Sequence, residues 1–311
     1  MTDIQIQFID ACKIGNIDKV KEIYEKNPNL DISINNEEPF RIACHYEHLE
    51  VAKQLYNWKP TINISAQNEE AFRFACQYGH LEIVKQLYEW NPLINISTNN
   101  EEAFRHSCCH GHLDIIKQLY TWKPSIDISI DNDYAFYWAC IYGYIEIIRQ
   151  LYQWKPSINI FSYNDQAFSW ICYHGHLEVL KQLYEWNLIT NISPIEFDEA
   201  FRFACFRGHI EIVKQLYEWN PKIDTSLITQ SELDNYTTEI KEFIGYIQRL
   251  SYWIEQLTKI YSNNQNIECP ICYTQITNEY LRTPCEHDFC VNCIINWLKN
   301  KNTCPYCRKI L

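Results

Sequence analysis

AFRFACQYGHLEIVKQLYEW, residues 71–90, holds two short apolar patterns separated by a Gly-His pair. Phe72, Ala75 and Cys76 fall at helical spacing, and Leu81, Val84, Leu87 and Tyr88 do so again. The spacing predicts two short antiparallel helices joined at Gly79-His80, neither able to bury its apolar face alone. The stretch returns as PFRIACHYEHLEVAKQLYNW (39–58), AFRHSCCHGHLDIIKQLYTW (103–122) and AFYWACIYGYIEIIRQLYQW (135–154). It returns again as AFSWICYHGHLEVLKQLYEW (167–186) and AFRFACFRGHIEIVKQLYEW (200–219), and a weaker copy begins at Gln7. The leading phenylalanine stands at Phe8, Phe40, Phe72, Phe104, Phe136, Phe168 and Phe201, a period of 32 that slips once to 33. Seven copies at this period predict a solenoid in which each unit covers the next.

The flanks complete the unit. An Asn-Asn-Glu-Glu type segment before each copy is expected to supply an N-cap and acidic first-turn residues. The Trp-Asn-Pro or Trp-Lys-Pro after it is expected to stop the second helix. The INIS-like segments that follow alternate apolar and polar residues, as an extended hairpin arm would. One cysteine recurs per unit (Cys12, Cys44, Cys76, Cys108, Cys140, Cys172, Cys205), which reads as a small core residue and not as a redox ladder. The cluster His106, Cys108, Cys109, His110, His112 lacks a second ligand knuckle, so it too reads as repeat positions. His80, His112, His176 and His209 read as helix starts. Trp58, Trp90, Trp122, Trp154, Trp186 and Trp219 read as packing between neighbours.

Over roughly residues 7–228 this pattern resembles the ankyrin repeat. The family's Gly-His, its Glu-Val-Val-Lys-Leu-Leu helix and its Val-Asn map onto Gly79-His80, Glu82 to Leu87 and Ile94-Asn95. The family's Thr-Pro-Leu-His opening is replaced by Glu70 to Arg73, so its helix-start hydrogen bonds must change. The glycine that ends the family's second helix is replaced by Asn or Lys, which adopts a left-handed backbone less readily. The Ala-Phe-Arg and Gln-Leu-Tyr-x-Trp variant, with its Ile, Asn and Tyr usage, also resembles ankyrin proteins of giant DNA viruses. The resemblance implies a concave face that takes a protein substrate.

Residues 229–265 leave the repeat. Leu233, Tyr236, Ile240, Phe243, Ile247, Leu250, Ile254, Leu257 and Tyr261 alternate spacings of three and four, which predicts one long helix with an apolar seam, widened by Tyr246, Trp253 and Ile260. Such a helix serves either to form a homodimer through residues 233–261 or to cap the open end of the solenoid.

Residues 266–311 carry Cys269-x2-Cys272, Cys285-x-His287-x2-Cys290-x2-Cys293 and Cys304-x2-Cys307. Seven cysteines and one histidine at knuckle spacing predict two closed tetrahedral zinc sites. A segment this short cannot fold on an apolar core, so two zinc ions must supply the stability, on the order of 10 kcal/mol per site. Order and spacing resemble the RING finger over residues 269–308. The family's cross-brace implies one site of Cys269, Cys272, Cys290 and Cys293 and another of Cys285, His287, Cys304 and Cys307. It also implies that Ile271, Trp297 and Pro305 dock a ubiquitin-conjugating enzyme carrying ubiquitin, while Arg308 serves catalysis by holding that ubiquitin. The plainer alternative for Trp297 is packing of a short helix.

The formal charge is −12, and all of it lies before residue 266, which excludes phosphate-backbone binding. No apolar run approaches membrane-spanning length, and the N-terminus lacks a signal-peptide pattern. Fifteen cysteines in that setting point to a reducing compartment, the cytoplasm (the host's, if viral). The expectation is therefore a mainly α chain: an ankyrin-like solenoid at 7–228, an amphipathic helical linker or cap at 229–265 and a zinc-stabilised RING finger at 266–311. Its expected activity is that of a RING-type ubiquitin ligase, with a non-enzymatic interaction scaffold as the rival.

Overall fold

The doubled apolar period becomes seven helix pairs in the computed structural model. It describes residues 2–257, 268–276, 280–298 and 301–309, apart from 162–163, 165, 190–191, 222, 224, 226–227, 284 and 302; side chains at 250–257, 281, 291–292 and 295 are also outside it. The pairs are α1 Asp3–Ile14 with α2 Ile17–Lys26, α3 Ile34–His45 with α4 Leu49–Trp58, and α5 Ala66–Tyr78 with α6 Leu81–Trp90. Next come α7 Thr98–Cys109 with α8 Leu113–Trp122, and α9 Ile130–Tyr142 with α10 Ile145–Trp154. The last two are α11 Ala167–His174 with α12 Leu177–Glu185, and α13 Pro194–Arg207 with α14 Ile210–Trp219. The chain divides into two compact units, Met1–Ile192 and Ser193–Leu311.

In the first unit the first helices of successive pairs stack in a row, and the recurring Phe and Cys lie between them. Phe40, Phe72, Phe104 and Phe136 are wholly buried, as are Cys44, Cys76, Cys108 and Cys140. Each phenylalanine contributes about 1.5–3 kcal/mol by leaving water, so the period seen in the sequence is a period of stabilisation. Burial pushes the Cys76, Cys108 and Cys140 thiols well above their usual range, which keeps them protonated and inert, as core residues should be. The tryptophans do what packing residues do. Trp58, Trp90, Trp122, Trp154 and Trp186 each stack on a tyrosine of the preceding pair, with ring centroids 3.9–4.3 Å apart.

Gly79 ends α5 in the left-handed region (φ +86°). A Cβ there would lie 2.6 Å from the ring of His112, one repeat on. That ring sits at the N-cap of α8, and its Nε2 donates to the Gln77 carbonyl at 2.9 Å. Burial holds the His112 pKa below its ordinary value, so at neutral pH the ring is the neutral Nε2–H tautomer. His48 and His80 make the equivalent bonds to Lys13 and His45, so these histidines tie neighbours together as well as starting helices.

Two expectations for the repeat change. The Asn-Asn-Glu segments do not cap: Ser65 and Ser97 hold the N-cap positions without side-chain cap bonds, and Gln67-Asn68-Glu69 and Asn99-Asn100-Glu101 form left-handed turns. Arg73 holds such a turn, its Nε donating to the Asn68 carbonyl at 2.7 Å while its Nη1 pairs with Glu102 of the next repeat. That arginine replaces the family's helix-start bonds. The INIS-like segments are turns, not strands. Ile62 and Ile64 are buried as their alternation requires, but the Asn63 side chain accepts the Ser65 amide and folds the chain over. Neighbouring segments are joined instead by a buried carboxylate, Glu69 Oε1 accepting from the Asn95 amide at 3.2 Å. The second helices α4 and α6 end without a left-handed residue, as the replacement of glycine by Lys or Asn implies: Lys59 and Asn91 sit at φ near −136° with their amides still bonded to Leu55 and Leu87, whereas α12 is followed by left-handed Asn187 (φ 58°).

In the second unit, α15 (Gln230–Asn235) and α16 (Thr238–Leu257) replace the single long helix. The break falls at Tyr236, whose extended backbone ends α15, and the Thr237 hydroxyl then accepts the Ile240 amide. Ile240, Ile244 and Ile247 are buried, and α16 packs on α14. The seam is thus consumed within the chain from Tyr236 to Ile247, as a cap requires and a homodimer does not. The seam positions Leu250, Ile254, Leu257 and Tyr261, with Trp253 and Ile260, lie outside the described side chains.

Gly79→Ala should cost about 2 kcal/mol in urea unfolding, since it adds left-handed strain to a ring clash. Adding His112→Ala should give a total well below the sum of the two single losses. Strict additivity would mean that the clash is absent.

Candidate metal centre

The tail folds around turns that the ligands themselves make. The Tyr273 amide donates to the Cys269 carbonyl at 2.8 Å, and the Arg308 amide to the Cys304 carbonyl at 2.9 Å, closing the two Cys-x2-Cys loops. Tyr273 (φ 56°), Glu286 (φ 63°) and Arg308 (φ 60°) each follow a ligand cysteine in the left-handed region, where a side chain costs about 1–2 kcal/mol. Strands β1 (Tyr280–Arg282) and β2 (Asp288–Cys290) pair antiparallel, with Leu281 opposite Phe289. Buried Thr283 organises the turn between them. Its hydroxyl accepts the His287 amide at 3.1 Å, and its carbonyl accepts the Glu286 amide at 2.8 Å. Helix α17 (Val291–Leu298) then starts directly after β2, carrying Cys293 in its first turn.

These elements bring the donors into two sets, Cys269, Cys272, Cys290 and Cys293, and Cys285, His287, Cys304 and Cys307, with the ligand atoms of each set within 4.8 Å of one another. With metal–sulfur bonds of ~2.3 Å, tetrahedral sulfurs lie about 3.8 Å apart. Cys272 and Cys290 Sγ are 3.7 Å apart, and His287 Nδ1 lies 3.4 Å and 3.7 Å from the sulfurs of Cys285 and Cys304. His287 therefore ligates through Nδ1. The thiols also need a dication. Hydrogen bonds from Thr274 pull Cys272 down to about 6, whereas burial and the neighbouring sulfurs push Cys290 to about 11 and Cys293 to about 12. Four such groups cannot all be thiolates unless a metal charge offsets their repulsion. The donor sets fit two zinc ions, each fully coordinated by protein and so structural.

Two of the residues expected to do more than ligate, Ile271 and Trp297, sit against this core. Cys269, Phe289, Ile294, Leu298 and Cys304 are buried together, and Ile271, Trp297 and Tyr246 of α16 pack against them. Ile271, Trp297 and Pro305 are each half-buried, leaving part of each side chain open. Trp297 does pack the helix end as well: its Nε1 donates to the Thr303 carbonyl at 2.7 Å. Lys301 Nζ lies 4.7 Å from the Trp297 ring centroid, a cation over the indole that the sequence reading missed although it follows Trp297 by one helical turn. Arg308 is exposed, and among the described residues its guanidinium makes no ion pair. The cluster of His106, Cys108, Cys109, His110 and His112 forms no third donor set among the described residues, since His112 and Cys108 are used in packing and the His110 ring bonds back to the His106 carbonyl. No described helix is long and apolar enough to cross a membrane.

Family models agree with both halves. One described as ankyrin repeats (three copies) matches residues 8–100, 75–164 and 104–194, together more than half of the chain, and one described as a ring finger domain matches residues 267–308. The E3 ubiquitin-protein ligase RNF181 of Rattus norvegicus is 40% identical over 53 residues, 16% of this chain and 32% of that protein. The E3 ubiquitin-protein ligase RNF115 of Homo sapiens is 34% identical over 91 residues, 29% of this chain and 28% of that protein. The E3 ubiquitin-protein ligase SGR9 of Arabidopsis thaliana is 43% identical over 49 residues, 15% of this chain and 17% of that protein. The chain thus spans less than two thirds of the length of these relatives.

Native mass spectrometry should count two metal ions per chain, and Cys272→Ser and Cys307→Ser should each remove one. Chelation should disorder the Phe289–Ile294–Leu298 core while leaving most of the helical circular dichroism in place.

Proposed function

The chain belongs to the ankyrin-repeat family and ends in a RING finger, and from that premise we propose that it is a ubiquitin ligase. The observation that carries the reading is the state of four side chains of the zinc module: Ile271, Trp297 and Pro305 are half-buried, and Arg308 is exposed and makes no ion pair among the described residues. A metal knot needs only its ligands and a few buried side chains. Arg308 sits at φ 60°, as Tyr273 and Glu286 do at similar angles after their own ligand cysteines, so the knuckle sets its backbone and leaves its side chain exposed.

The mechanism is positional. Ile271, Trp297 and Pro305 dock a conjugating enzyme whose cysteine carries ubiquitin as a thioester. Arg308 donates hydrogen bonds to both partners and restrains the ubiquitin tail near its attack geometry. A deprotonated substrate lysine then attacks the thioester carbonyl; the isopeptide bond forms, the thioester breaks and the cysteine leaves as a thiol. The zinc ions hold the scaffold and take no part in bond making. The solenoid, residues 7–228, presents the substrate, residues 229–265 connect it to the ligase module at 266–311, and the free thiols of the repeats suit a reducing compartment such as the cytoplasm.

A reconstituted ubiquitylation assay across a panel of conjugating enzymes tests this. Wild type should build chains, and Ile271→Ala and Arg308→Ala should lose about tenfold or more while retaining two zinc ions. Arg308→Gly is the sharper variant, because it relaxes the backbone by about 1 kcal/mol yet should be as inactive as Arg308→Ala. An inactive wild type would favour the scaffold reading, in which Trp297 serves only its bond to Thr303.

A further inference from the structure

The solenoid stops at α14, and its stopping leaves a space. In the first unit, a tyrosine of one second helix is covered by the stacked tryptophan of the next repeat, as Tyr88 is by Trp122 at 3.9 Å. Tyr217 is the equivalent tyrosine of the last pair, and no eighth repeat follows it. It meets Phe243 of α16 edge-on instead, with centroids 5.8 Å apart and planes at 89°, and Phe243 in turn meets Tyr246 at 6.0 Å. Between α14 and α16 there remains a groove of about 760 Å³ with these three rings in its wall.

The rim is acidic. Glu218 lies on the α14 side and Glu239 and Glu242 on the α16 side, all three exposed. Glu239 and Glu242 make no hydrogen bond or ion pair among the described residues. The single lysine in the lining, Lys214, is already paired with Glu211 at 3.2 Å. An aromatic wall under unpaired carboxylates suits a planar cation, which stacks on rings and forks onto carboxylates, better than it suits an ammonium or an apolar helix.

We propose that this groove docks an arginine-bearing basic segment of a partner protein. The guanidinium enters the space that a tryptophan fills in earlier repeats, against Tyr217 and Tyr246, with Glu239 and Glu242 taking its N–H groups. Tyr246 also packs on the zinc core, so a segment held here sits beside the ligase module. Its role as a substrate hold rests on the ligase reading, but the binding itself does not.

The test is fluorescence anisotropy on the full zinc-loaded chain with a labelled Gly-Ser-Arg-Leu-Arg-Ser-Gly peptide and its Lys and Glu counterparts. The Arg peptide should bind tightest, the Glu peptide not at all, and added salt should weaken the complex. Glu239→Gln with Glu242→Gln should weaken the Arg peptide about tenfold, because both side chains are exposed and their loss leaves the fold intact. Ubiquitin-chain formation without a basic substrate should be unchanged in that variant, so a failed ligase assay and a failed docking assay are separate results. Equal binding by wild type and variant, or no preference of wild type for Arg over Glu, overturns the proposal. So does self-association of the chain that the same double substitution abolishes, which would make a second copy the occupant.

Discussion

A ten-residue helix such as α6 is too short to persist alone in water, and its buried residues Ile83, Val84 and Leu87 are covered only because a neighbour lies alongside. The pairs of the first unit share this dependence. The Phe and Cys positions supply the apolar filling, and the Tyr–Trp stacks and His–carbonyl bonds supply register, so that each repeat is both covered and covering. Stability is then a sum over interfaces, and the end of the array is where the sum has a missing member. The break at Tyr236 and the buried face of Ile240, Ile244 and Ile247 follow from that need: a helix must turn back onto α14.

The same constraint reaches the zinc module. Tyr246 lies on α16 and packs against the core formed by Phe289, Ile294 and Leu298. That core is five residues wide and two of the five are ligands, so metal and apolar packing cannot be separated: the cysteines are at once donors and filling. Coordination also sets the backbone beyond it. Closing the Cys304–Cys307 loop puts Arg308 in the left-handed region, where its side chain projects into solvent without a partner among the described residues.

Much of this was legible in the residues. The period of 32, the helix pairs, the inert cysteines and the two donor sets all follow from patterns that are local or strictly repeated. Misreadings arose where one residue's role is set by the adjacent repeat. Gln67-Asn68-Glu69 stands where a cap was expected, yet it forms a left-handed turn in which Arg73 bonds the Asn68 carbonyl and Glu69 accepts the Asn95 amide of the next repeat, a partner that no local reading contains. The INIS-like segments alternate as strands do, but no strand lies beside them to pair with among the described residues. The seam from Leu233 to Ile247 kept perfect helical spacing across Tyr236, where tertiary packing required a corner.

By itself the sequence determined the repeat, its number and the chemistry of the ligands, because each of these depends on residue type at fixed short spacing. Only the tertiary structure decided what covers the last repeat, which arginine ties which turn, and where a charged groove remains open. Those outcomes depend on distances between side chains far apart in the chain, such as Tyr217 and Phe243, and periodicity carries no information about them once the period stops.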